Sequence, residues 1–210
     1  LTYSGYVGVS TIAKKLPVLS ASEFMDASAK YNFNLVNKGD NTNWQDQIFQ
    51  TAFTQSHNVS YSGGTDNGSY FASIGYLDQQ GIVRGTGIKK ITSRFNVTKK
   101  LFADRLNIST NLAFARTNDS RVPIGSTGGY EGDVLISALK ANPTFPVYKP
   151  DGTYFQYTTT NRNPVAMINL TNDNTYTDHV LANVSASYKI IKGLTYKVNL
   201  GFDHSNATRK

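Results

Sequence analysis

The 210-residue chain has no cysteine. That excludes a disulfide-stapled module and any thiolate-held metal centre. Charge is sparse as well: Asp, Glu, Lys and Arg make up 17%, against about 25% in an average globular chain. No apolar run approaches the roughly 18 residues of a membrane-spanning helix. The net charge is +7, yet no five-residue stretch is dominated by Lys and Arg, and the Lys-Lys pairs at 14–15, 89–90 and 99–100 are scattered. A nucleic-acid surface wants a basic stripe interleaved with aromatics, so no nucleic-acid partner is expected. There is no initiator Met and no basic-then-apolar leader, and the chain starts in the middle of a strand pattern; it reads as an internal piece of a longer protein.

What remains is rich in Asn, Ser, Thr and Gly, with 13 Tyr and 11 Phe. The stretch RLNISTNLAFA (105–115) shows how these are arranged. Leu106, Ile108, Thr110, Leu112 and Phe114 alternate with Asn107, Ser109, Asn111 and Ala113, so a strand here is oily on one side and amide-lined on the other. Strands are expected at 2–10, 53–62, 69–78, 88–99, 105–116, 178–190 and 194–204. Val180 to Ile190 and Leu194 to Phe202 repeat the alternation. In 90–98, Ile91, Phe95 and Val97 oppose Lys90, Arg94 and Asn96, which confines charge to one side. A soluble sandwich would turn the oily side to a core, while a membrane barrel turns it to lipid.

The connections favour the barrel. Those at 63–69, 99–105 and 190–194 are tight, whereas 79–87 and 117–177 are longer, which is the short-turn, long-loop sorting of an outer-membrane barrel. Tyr61, Tyr70, Phe102, Tyr188 and Tyr196 lie near the tight turns, as an interfacial girdle would. Of eight Asn-x-Ser/Thr triplets, those at 58, 96, 107 and 183 have an aliphatic centre. As glycosylation sites they would mark a secreted eukaryotic protein. As strand residues they are polar pairs straddling an outward apolar side chain, the reading preferred here. Two helices are expected: 19–33, with Ser20 and Glu23 forming a capping box and Phe24, Ala27 and Tyr31 on one stripe, and a short one within 133–142. WQDQIF (44–49) reads as a single helical turn.

The stretch 44–101 resembles the start of the barrel in SusC/RagA-type TonB-dependent outer-membrane transporters. The resemblance rests on WQDQIF, on SGGT, on YFASIGYL and on QGIVRGTG, with the LSASEF helix upstream occupying the place of a similar segment. Asn43 stands where the family usually has Asp, and Gln50 where it has Arg. The resemblance implies a barrel of about 22 strands closed by a plug, set in the outer membrane. It also implies a SusD-like surface lipoprotein and TonB as partners, outer-membrane lipid as surroundings, and oligosaccharide or peptide cargo.

The expected fold is therefore all-β, an antiparallel meander forming part of a large transmembrane barrel, with a short helix near the N-terminus and one in a long loop. Residues 1–50 would hold the first strand and a helical connection, and 51–210 the remaining strands with an extracellular loop at 117–177. Asn58, Asn96, Asn107, Asn183 and Asn199 are candidates to line the lumen. Tyr130, Tyr148, Tyr154, Phe155 and Tyr157, set among Asn, Thr and Asp in the long loop, are candidates to touch cargo or lid; self-packing of the loop is the competing reading. His57, His179 and His204 lie in different strands without metal spacing, and no cofactor is expected. Loop carboxylates such as Glu131 and Asp151 are not fixed as a glycosidic pair, and GGYEGD lacks the Lys-Ser/Thr of a phosphate loop. Transport without a covalent step is expected, not enzyme activity. The rival is a soluble glycan-binding sandwich or adhesin.

Overall fold

A computed structural model describes residues 1–125 and 132–210. Seven strands form one antiparallel sheet in chain order: β1 (Thr2–Ser10), β2 (Ala52–Thr65), β3 (Gly68–Gln80), β4 (Gly87–Leu101), β5 (Leu106–Arg121), β6 (Asp173–Ile191) and β7 (Leu194–Arg209). Helices α1 (Ala21–Tyr31) and α2 (Trp44–Ile48) join β1 to β2, and α3 (Val134–Lys140) and α4 (Pro164–Asn169) lie between β5 and β6. Each strand runs at or beyond its expected bounds, except that β5 begins one residue late, at Leu106. The longest connection is accordingly 122–172, shorter than the expected 117–177. In the extensions of β5, β6 and β7, Arg209 pairs across strands with Asp173 and Arg121 pairs with Asp119 along β5, which holds polar sequence in the ladder where hydrophobic alternation has already ended.

Register decides what each face carries. Phe95 lies opposite Leu112, Leu112 opposite Ala182, and Ala182 opposite Phe202. Following this parity, Val7, Val59, Ile74, Ile91, Leu112, Val184 and Leu200 share one face. That face is not covered by a second layer: Leu112 is 43% exposed, Phe95 46% and Leu200 67%. Burying such surface is worth about 25 cal/mol per Å² in water, so a sandwich would not leave it bare. On β4 the face is free of charge between Lys89 and Lys99. Ten residues at about 3.3 Å each, tilted by about 40°, span about 25 Å, the height of a barrel's lipid-facing band.

The two ends of the sheet differ. At the tight-turn end Tyr70 hydroxyl donates to Tyr61 hydroxyl at 3.2 Å, with ring centroids 5.5 Å apart, and Tyr188 faces Tyr196 across β6 and β7. Phe102, in the β4–β5 turn, is exposed. At the loop end the same face turns ionic: Arg116 grips Asp178 through two bonds at 2.7 and 2.8 Å, and Lys89 meets Asp78 at 3.5 Å. Being exposed, such pairs contribute little each, but they mark where the apolar face stops.

Above the sheet, the helices and loops bury Trp44, Ile48, Val122, Val134, Ala138, Val165 and Ile168 against one another. Two motifs from the sequence meet here. Gln50 N–H donates to Ile82 O and Arg84 N–H to Ile48 O, both at 2.9 Å. Arg84 guanidinium reaches Gln47 O at 2.7 Å. Asn43 caps α2 through Asp46 N–H, and Gln50 Nε2 donates to Gly81 O at 2.9 Å, so both departures from the family pattern retain a local bond. The capping box is present: Ser20 and Glu23 each receive the other's backbone N–H. Of the expected stripe on α1, Phe24 and Ala27 are half-buried, but Tyr31 is exposed, and the buried positions are Ala21 and Ser28; Asn32 enters the left-handed region and ends the helix after Tyr31.

Two expectations follow. Gly85 sits at φ +80°, and a Cβ there would lie 2.9 Å from Val122 Cγ1 and 3.1 Å from Ile168 Cγ2. Gly85→Ala should destabilise the loop-end core by about 1–3 kcal/mol, read by denaturant unfolding of the refolded protein. Glu23 carboxyl lies below its ordinary 4.5 because Ser20 N–H, and then Ser20 hydroxyl, donate to it. Its support for α1 is therefore complete above pH 4.5 and lost as pH falls through the lower folded value. Helical chemical shifts at 21–24 should fade with acid, and Glu23→Gln should remove most of that dependence.

Candidate functional site

The five candidate asparagines are spread over five strands, but register sets them all on the face opposite Leu112. Asn96 faces Asn111, which faces Asn183, so three amides form one row across β4, β5 and β6. Asn107 pairs with Ser187, Asn199 with Ser185, and Asn58 with Gly75. The amide of Asn58 lies over glycine: a Cβ at Gly75 would fall 3.1 Å from Asn58 Nδ2. Thr92, Arg94, Ser109 and Ser187 share this face. It is a hydrated, hydrogen-bonding wall backing an oily one.

The loop aromatics divide into two groups. Tyr148 and Tyr154 close a hairpin, bridged through their backbones with rings 5.2 Å apart, and Asn169 amide donates to Tyr154 hydroxyl at 2.9 Å. Asp151 accepts from Thr153 N–H at 2.9 Å and Thr153 hydroxyl at 2.6 Å, and these bonds hold its carboxyl below the usual range. That carboxylate builds the turn. Phe155 and Tyr157 instead flank Phe145, with centroids 5.2 and 5.1 Å away, on the wall of a cavity of about 320 Å³. Tyr130 and Glu131 lie outside the described residues.

The helix α4 and its cap were not foreseen. Asn163 is buried; its side-chain oxygen accepts from Val165 and Ala166 N–H, while its amide donates to Val147 O at 2.8 Å and Phe155 O at 3.0 Å. One side chain thus starts the helix and ties down the strip that carries Phe155. The signal was present as Asn-Pro ahead of an apolar pair, an N-cap followed by proline at the first helical position.

The histidines serve as local partners. Tyr3 hydroxyl lies 2.7 Å from His57 Nδ1, His179 Nε2 lies 2.6 Å from Asp203, and His204 stacks on Phe202. Among the described residues, no three metal-ligating side chains come together.

No protein-family model matches the chain. It is 32% identical to TonB-dependent receptor P3 of Formosa agariphila over 201 residues, covering 91% of this chain and 19% of that protein. It is 29% identical to TonB-dependent receptor SusC of Bacteroides thetaiotaomicron, covering all of this chain and 23% of the relative. The chain therefore spans about a fifth of these proteins. Among solved structures, the RagAB peptide transporter superposes with a TM-score of 0.78 at 22% identity, over 98% of this chain and 28% of that one. The RagAB peptide importer in its closed-closed state gives 0.76, and both show the same fold.

The Asn163 geometry yields a test. Asn163→Ala removes a cap and orphans two carbonyls, and should cost about 2–4 kcal/mol. Asn163→Asp keeps the cap but loses both donations, and should fall between. Limited proteolysis of the 148–170 segment reads the order.

Proposed function

Because this chain belongs to the SusC/RagA-type TonB-dependent receptors, we propose that it builds seven strands of the wall of an outer-membrane transporter that imports short oligosaccharides or peptides. The observation that carries this reading is the bare face running across all seven strands, uncharged through its middle band, with amides and hydroxyls behind it. In lipid such a face is stable without a second layer, and a charge placed on it costs about 2–4 kcal/mol at mid-depth. In water the same face would drive aggregation.

The tight turns at 66–67, 102–105 and 192–193 face the periplasm in this reading, and the three longer connections face outward. The girdle of Tyr61, Tyr70, Tyr188 and Tyr196 then sits at the inner interface. Asn58, Asn96, Asn107, Asn183 and Asn199 line the wet interior. The loop-end core stands where a SusD-like lipoprotein lid would close, and TonB would act on the plug from below. β1 and β7 each offer one unpaired edge. Hydrocarbon does not tolerate such an edge, so neighbouring strands of the same barrel must cover both. The relatives are named as receptors and a transporter, and the mechanism here is conformational, with no covalent step. A soluble sandwich would need its oily face packed, and that face is open.

Adjacent residues make the decisive comparison. Leu112 points to the oily face at mid-band and Asn111 to the amide face. In the full-length receptor, Leu112→Arg should sharply lower outer-membrane assembly, scored by heat-modifiable migration of the folded barrel. Asn111→Arg should assemble near the parent level. Equal tolerance at both positions, or recovery of the receptor from the soluble periplasm, would reject the membrane reading.

A further inference from the structure

We propose that the cavity at the loop end binds a carboxylate carried by a short saccharide or peptide. The proposal rests on the transport reading and adds to it the chemistry of the cargo. Three separate parts of the chain wall the cavity: α1 with the 34–36 stretch, the ends of α2 and α3, and the 155–164 strip. Its volume of about 320 Å³ is at the small end of ligand sites, enough for one or two residues of cargo rather than a long chain.

The wall is apolar and aromatic at its back. Phe24, Trp44, Phe145, Phe155 and Tyr157 contribute rings, and such faces suit the C–H surface of a sugar ring or an apolar side chain. Trp44 is held as a platform, because its indole N–H is already spent on Asn142 O at 2.9 Å. Asn142 and Asn163 are likewise engaged with backbone partners. The polar side-chain groups of the wall left for a ligand therefore include those of Asn34, Asn161 and Arg162 and the Tyr157 hydroxyl, which have no hydrogen-bond partner among the described residues.

Charge gives the class. Arg162 lines the cavity, and among the described residues no Asp or Glu does. Elsewhere at this end of the molecule the arginines have protein partners: Arg116 pairs with Asp178, Arg121 with Asp119 and Arg209 with Asp173, and Arg84 donates to Gln47 O. Arg162 departs from that habit, beside an aromatic wall. A guanidinium accepts a carboxylate through two parallel bonds, while the neighbouring amides can serve hydroxyls or peptide groups. A neutral cargo unit would leave the guanidinium unused.

The test uses the full-length receptor in detergent and titration calorimetry with two pairs of probes. One pair is trigalacturonate and neutral trigalactose; the other is trialanine with a free C-terminus and its C-terminal amide. The charged member of at least one pair should bind at least about tenfold more tightly than its neutral counterpart, weaken with added salt, and identify whether saccharide or peptide supplies the carboxylate. Arg162→Gln should erase that preference, chiefly by weakening the charged member. Tyr157→Ala should weaken both members of the binding pair. Absence of binding by either charged probe, equal affinity within both pairs, or an unchanged preference in Arg162→Gln overturns the proposal. Heat-modifiable migration of each variant establishes that its barrel is folded. A receptor that assembles in the outer membrane yet shows no preference for a carboxylate sinks this inference and leaves transport standing; a receptor found soluble sinks the transport reading itself.

Discussion

The structure depends on an unbroken backbone ladder whose parity is kept from β1 to β7. A slip of one residue at any strand would exchange the two faces of everything beyond it, sending Asn111 and Asn183 to the oily side and Leu200 to the wet one. The one register shift among the described residues, between Lys189 and Ile191, sits next to the last turn, where only the end of one hairpin is affected. The ladder also answers the backbone's own demand. In hydrocarbon every N–H and C=O must find a partner within the protein, and a paired antiparallel sheet supplies one at every residue.

Two solvents shape the one chain. Along the strands, the outward side chains gain by meeting lipid, so nothing needs to pack on them and large residues stand exposed. Above the strands the logic of water returns: Ile48 and Val134 are almost fully buried, glycine is needed where Gly85 passes Val122 and Ile168, and each helix is capped by Ser20, Asn43, Asp133 or Asn163. The transition is sharp because Asp78, Lys89, Arg116 and Asp178 gather at the boundary. Those residues pair across strands, extending the sheet beyond the depth at which apolar alternation can specify it.

That boundary explains which features were legible in the sequence. Period-two alternation is a local signal, and it located all seven strands and both of their faces; the five asparagines fall together because parity alone decides their side. Strand ends were less visible, since 117–121 and 173–177 are held by Arg121, Asp119, Asp173 and Arg209 and not by hydrophobic pattern. On α1 the expected helix ran on to 33, whereas the left-handed Asn32 ends it at Tyr31, which stays exposed, and Ser28 is buried with its hydroxyl donating to Phe33 O at 2.6 Å. The loop was least legible. Its aromatics divide between a self-packed hairpin and a cavity wall, and that division depends on contacts over a hundred residues away, such as Thr42 hydroxyl to Phe145 O.

The same contacts bear on how specificity could change without disturbing the wall. WQDQIF and QGIVRGTG are joined by backbone bonds at the foot of the loop-end core, so they hold the connections over the sheet in place. The residues facing the cavity from the 155–164 strip hang from that frame through Asn163 and touch no strand register. Arg162 and Asn161 can therefore be exchanged at small structural cost, whereas Asn163, one position further on, cannot. A barrel that leaves its ladder and lipid face fixed while varying such a strip would keep the same passage and alter what it admits.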